Sequence, residues 1–199
     1  MAFVLPDGLA PEVYPLAWLV GSWHGEGVVG YPGIEESAFV QDVEIDHDGG
    51  PYLRYRSTMR LVVVPDDPAA LIDAVVRGAV DGSTDETAQV DAGPVWATET
   101  GYWRISPERP DELTADQFPV ELLLADPAGH LSLYLGIVGS GRIELASDLV
   151  ASTATAVDVS AGTRLYGLVQ GDLMWAWDLA AFDQPLQTYA SARLTRVEA

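Results

Sequence analysis

The sequence predicts an all-β fold, about ten antiparallel strands closed into one barrel behind a short N-terminal helix. Three observations carry that expectation. The 19 Gly and 13 Pro are scattered between apolar runs and form no repeat, which is the punctuation of many short strands joined by turns. Period-two alternation is clearest over Pro51 to Val64, where Arg54, Arg56, Thr58 and Arg60 alternate with Leu53, Tyr55, Ser57, Met59 and Leu61; one face is wet and the other buried. Finally, 199 residues with 48% hydrophobic content suffice for one sizeable core, so residues 1–199 are read as a single domain.

Taken in order, Pro11 to Val20 places Val13, Leu16, Ala17 and Val20 at helical spacing and stops at Gly21, which suits a short helix that plugs one barrel end. Strands follow at Trp23 to Gly30, Ser37 to Ile45 and Pro51 to Val64. The second half of the chain continues them at Val95 to Ile105, Val120 to Ala125, Leu131 to Val138, Ile143 to Val150, Thr163 to Val169, Leu173 to Ala180 and Gln187 to Val197. Asp48-Gly49-Gly50, Pro127-Ala128-Gly129, Gly139-Ser140-Gly141 and Gln170-Gly171-Asp172 mark turns between them. One stretch departs from the pattern: within an insertion at about 65–93, Asp67-Pro68 precedes Leu71, Ile72, Val75, Val76 and Ala79 at helical spacing. Asp67 as cap and Pro68 at the first position predict a helix, read either as a lid or as a surface insertion.

Charge narrows the partners. Ten basic against 30 acidic residues leave a formal charge of −20, which repels phosphate backbones and anionic lipid, so neither nucleic acid nor a membrane is expected as a partner. Without Cys, thiolate chemistry, disulfides and cysteine-bound metals are excluded. No basic leader followed by a long apolar run opens the sequence, and a cytoplasmic protein is expected.

Residues Leu16 to Tyr31, Leu-Ala-Trp-Leu-Val-Gly-Ser-Trp-His-Gly-Glu-Gly-Val-Val-Gly-Tyr, resemble the opening of the nitrobindin family, with its Gly-x-Trp-x-Gly-x-Gly signature at Gly21, Trp23, Gly25 and Gly27. Further matches follow in order: His47 to Leu53 resembles the turn of the second hairpin, Glu99 to Arg104 a mid-chain strand, Glu144 to Ser147 a later one, and Gln184 to Leu194 the last strand. The resemblance implies a ten-stranded barrel related to fatty-acid-binding proteins and other calycins. Members that carry haem bind nitric oxide and isomerise peroxynitrite to nitrate. Both activities depend on a proximal His in the last strand, and the matching position here, three residues after Leu186, is Tyr189. A phenol must lose a proton of pKa near 10 before it ligates iron, and then it favours the ferric state.

Gly25 and Gly27 flank Glu26, and missing side chains there let either a flat ligand or a neighbouring strand approach the backbone. The resemblance places this region beside the haem pocket, so Glu26 and Tyr31 are candidate rim residues. Met174 matches a Met common in the family and joins Tyr189 and Gly25 as a candidate pocket residue, against the plainer reading of these side chains as packing. The histidines His24, His47 and His130 have no metal-ligand spacing, and nothing resembles a nucleophile elbow. The expectation is therefore a binding module for a small apolar or amphipathic ligand, such as a fatty acid or another lipid, with neither catalytic residues nor a cofactor. The alternative is a ferric haem b protein coordinated on the Tyr189 side that retains peroxynitrite isomerase activity. A third reading is an interaction protein with a solidly packed barrel, and a homodimer is compatible with each.

Overall fold

A computed structural model describes residues 5–63 and 92–198. Its strands are β1 (Gly21–Tyr31), β2 (Ile34–Asp46), β3 (Leu53–Val62), β4 (Ala92–Ile105), β5 (Gln117–Ala125), β6 (His130–Gly139), β7 (Arg142–Ser152), β8 (Val159–Val169), β9 (Asp172–Ala181) and β10 (Gln187–Val197). Each pairs antiparallel with its sequence neighbours, and β1 closes on β10, giving the barrel order β1-β10-β9-β8-β7-β6-β5-β4-β3-β2. The ten-stranded all-β expectation holds. The helical reading of the insertion lies outside the described residues, and β4 already begins at Ala92.

Turn chemistry sets the hairpins. Ser140 and Gly141 between β6 and β7, and Gln170 and Gly171 between β8 and β9, all have positive φ, the two-residue geometry whose twist matches antiparallel strands. The N-terminal helix, Pro11–Leu19, is a 3-10 helix with Pro15 inside it; proline removes a backbone donor and favours the tighter, shorter form. It buries Val13, Leu16, Ala17 and Leu19 against the end of the barrel where Trp23, Leu53, Trp103, Val138, Ile143 and Leu173 form the core. Trp23 Nε1 donates to Leu19 O at 2.8 Å, and the Arg196 guanidinium lies 4.1 Å from the Trp23 ring centroid. This end is closed.

The opposite end is less tightly knit. β4 pairs with β5 only from Thr100↔Ala125 to Ile105↔Val120, and β7 with β8 only from Arg142↔Gly167 to Ala146↔Thr163. Beyond the second of these ladders a side chain replaces the backbone pairing: Gly162 N donates to Ser147 Oγ at 2.9 Å.

Candidate functional site

Two β-bulges shape the open end. In β10 the register passes from Thr188↔Asp178 to Ala190↔Trp177, and Tyr189 is the extra residue. In β4 it passes from Ala97↔Met59 to Val95↔Arg60, and Trp96 is the extra residue. A bulge frees one side chain from strict alternation and re-aims it. Counted back along β10 from Ser191, which is exposed, simple alternation puts Tyr189 on the outer face. The bulge instead sets its ring against Trp177 (centroids 4.9 Å apart) and Tyr31 (6.0 Å), both edge-on. Trp96 Nε1 donates to Tyr189 Oη at 2.9 Å across the mouth, between strands that are not neighbours. Burial pushes the Tyr189 phenol above its ordinary pKa, and the bond from Trp96 offsets only part of that rise.

Tyr31 caps the same cluster. Its hydroxyl donates to Leu179 O at 2.8 Å and accepts from Ala181 N at 3.1 Å, which ties β1 to β9. Tyr31 and Tyr189 therefore come together at this end of the barrel.

Deeper inside lies an ion pair that sequence reasoning missed. Arg164 on β8 holds Glu99 on β4 with both terminal nitrogens, at 3.0 Å to Oε2 and by a second short bond to Oε1, with the side chains 4% and 13% exposed. Arg164 also donates to Tyr166 Oη at 3.3 Å, and Tyr55 Oη donates to Glu99 at 3.4 Å. The guanidinium stacks 4.1 Å from the Trp177 centroid and 5.2 Å from that of Tyr134. Burial alone would lower the Arg164 pKa, but the adjacent carboxylate reverses this and raises it well above the ordinary value, so the cation is permanent. Burial likewise raises the phenols of Tyr55 and Tyr166.

The remaining candidates stand elsewhere. Glu26 and Met174 point out of the barrel, Met174 41% exposed, and line a groove of ≈ 670 Å³ on the outer face with Val28, Leu165 and Arg193. Their expected place beside an interior pocket is corrected by strand parity: the inward neighbours are Gly25, Gly27, Leu173 and Trp175. At Gly25 a Cβ would stand 2.2 Å from Arg193 O, and at Gly27 it would stand 2.3 Å from the Phe39 ring. The space left by both glycines is thus taken by β10 and by Phe39, which stacks on Trp175. Gly27→Ala is accordingly expected to cost about 1–3 kcal/mol in urea unfolding while leaving ligand affinity of the folded protein unchanged; an affinity loss without destabilisation would return Gly27 to the site.

His24 is exposed and bonded to Asp42 at 2.7 Å, with Trp23 inward as alternation requires. His130 bridges Asp126 and Val157 O, at 2.8 Å from Nε2 to the carbonyl, and fastens the loop after β7. Among the described residues no three His, Asp or Glu side chains converge on a metal site.

Known proteins share this architecture. The crystal structure of Rv2717c from M. tuberculosis superimposes with a TM-score of 0.69 at 29% identity, covering 96% of this chain and 99% of that one. A ferric nitrobindin-like protein of Beutenbergia cavernae is 46% identical, over 99% of this chain and 100% of its own length. A peroxynitrite isomerase of Clavibacter michiganensis subsp. michiganensis is 38% identical over 98% of each. The model of the THAP4-like, heme-binding beta-barrel domain matches residues 12–196, from the plugging helix to the last strand. With the closed ten-stranded barrel, these likenesses identify the chain as nitrobindin-like, and it belongs to the family of THAP4-like, heme-binding beta-barrel domains.

Proposed function

We propose that this chain is a binding module, which holds a small apolar or amphipathic molecule at the aromatic open end of its barrel and does not ligate haem iron through β10. The observation that carries the reading is the setting of Tyr189. Its oxygen already accepts the Trp96 N–H, and its ring is wedged between Trp177 and Tyr31. Iron would require the phenolate, and burial disfavours that charged form. The residues present therefore do not fit a haem whose iron is held from the last strand. They do fit an apolar guest, because Tyr31, Trp96, Trp177, Phe182 and Tyr189 offer ring faces and edges around one mouth.

N-phenyl-1-naphthylamine, a neutral apolar probe, is expected to brighten on the purified protein at micromolar concentration and to be displaced by a neutral lipid. No brightening, together with no organic molecule in solvent extracts examined by mass spectrometry, would overturn the reading.

A second reading is favoured by the similarity to proteins called ferric nitrobindin-like protein and peroxynitrite isomerase: a ferric haem protein coordinated on the Tyr189 side. Hemin titration separates the two. A flat Soret response supports the binding module, and a sharp band saturating at one equivalent supports the haem protein.

A further inference from the structure

The outer wall of the barrel carries an apolar trough, the groove of Glu26 and Met174, and strand register lines up its parts. One cross-strand row runs through Val28, Ser191, Ala176 and Leu165 over β1, β10, β9 and β8, large at both ends and small in the middle. The row beside it runs through Arg193, Met174, Gly167 and Arg142 over β10, β9, β8 and β7. Ser191, Ala176 and Gly167 make a low floor, and a Cβ on Gly167 would meet nothing within 4 Å. Val28, Leu165 and Met174 stand around it, 44%, 38% and 41% exposed. A second depression, of ≈ 720 Å³, continues the trough across β7 and β6, where Leu135 and Ile137 are exposed as well. Single exposed apolar side chains are ordinary, but a contiguous band of them marks a surface that another molecule covers.

Dimensions select a helix. Three strand spacings separate Val28 from Leu165, about 14 Å along the row. Side chains at i, i+4 and i+7 of a helix span about 10 Å, so a helix laid across the strands drops them between these two walls. An added strand finds no backbone partner here, because β8, β9 and β10 each pair on both sides.

Charge selects the polar face of that helix. Glu26, Glu144, Asp172 and Asp178 surround the trough, against Arg142 and Arg193. Both cations are already held: Arg142 Nη2 lies 2.8 Å from Glu144 Oε1, and Arg193 Nε donates to Asp172 Oδ2 at 2.6 Å. The whole chain has a formal charge of −20, so it steers a cationic segment toward this face and repels an acidic one or a second copy of itself.

We propose that the trough docks a cationic amphipathic helix of a partner protein, with its apolar stripe between Val28 and Leu165 and its Lys or Arg side chains toward the flanking carboxylates. The site lies outside the barrel wall and is separate from the aromatic mouth.

Calorimetric titration of the full chain with two peptides tests this. Both are about 18 residues long and share one composition of Leu, Ala and Lys. In the first, Leu recurs at i, i+4 and i+7 on one helical face; in the second the order is scrambled, so the charge is equal and only the stripe differs. The striped peptide is expected to bind with a Kd of about 10 µM, and the scrambled one at least about tenfold more weakly. Gly167→Trp fills the floor from a position with open space, and Met174→Ser removes a wall; each is expected to weaken the striped peptide at least about fivefold. Should Gly167→Trp misfold, as judged by near-UV circular dichroism, Met174→Ser decides alone. Equal binding of the two peptides, binding of neither, or a striped peptide indifferent to the substitutions would each overturn the docking site. A wild-type dimer in sedimentation equilibrium that Gly167→Trp converts to monomer would overturn it too, because a second copy would then be what covers the trough.

Discussion

Arg164→Met is expected to lower stability by about 3–5 kcal/mol, a large share of the roughly 5–15 kcal/mol that holds an ordinary domain together. The cost is not that of the lost contact. It comes from Glu99, which would remain buried with its charge and, among the described residues, only the Tyr55 hydroxyl to answer it. Arg164→Met combined with Glu99→Leu removes both charges and leaves apolar groups of similar size, and is expected to regain most of that loss or to exceed wild-type stability by about 1–4 kcal/mol. Urea midpoints for the wild type, both single variants and the double variant close the cycle. Additive losses, with the double variant the least stable of the four, would show that the two side chains act separately and that the pair is not the buried unit described above.

Tyr189→His is expected to turn a featureless hemin titration into one with a sharp Soret band saturating near one equivalent. Imidazole ligates iron as a neutral base, so it needs no deprotonation in a desolvated position, whereas the phenol does. The substitution also removes the oxygen that Trp96 Nε1 now occupies, which frees the indole to move from the mouth. Tyr189→Phe is the control, because it breaks the same hydrogen bond but supplies no ligand, and its titration should stay flat. A wild-type Soret band as sharp as that of Tyr189→His would sink the binding-module reading and leave the ferric haem protein in its place.

The barrel was legible because it is written in local signals. Gly139-Ser140-Gly141 and Gln170-Gly171-Asp172 announce hairpins whose positive φ values the backbone adopts, and alternation from Trp23 onward tells the buried face of β1 from the wet one. Alternation also held the correct place for Glu26 and Met174, since each sits between inward residues; the resemblance to a family pocket pointed them inward, and parity turned them out. Arg164 was hidden by the same signal. In β8 the apolar Leu165 faces outward while Arg164 and Tyr166 face the interior, so hydrophobicity alone reads the strand with its faces exchanged.

The bulges at Tyr189 and Trp96 have no local signature either, because each depends on how two strands slide past one another. Sequence by itself determined the ten strands, their turns, the strongly acidic character of the chain and the presence of a phenol, Tyr189, in the last strand. Only the tertiary structure decided that Tyr189 meets Trp96 across the mouth and that Arg164 meets Glu99 inside, since residues 93 and 65 positions apart become neighbours only when β1 closes on β10 and the barrel fixes which faces look at one another.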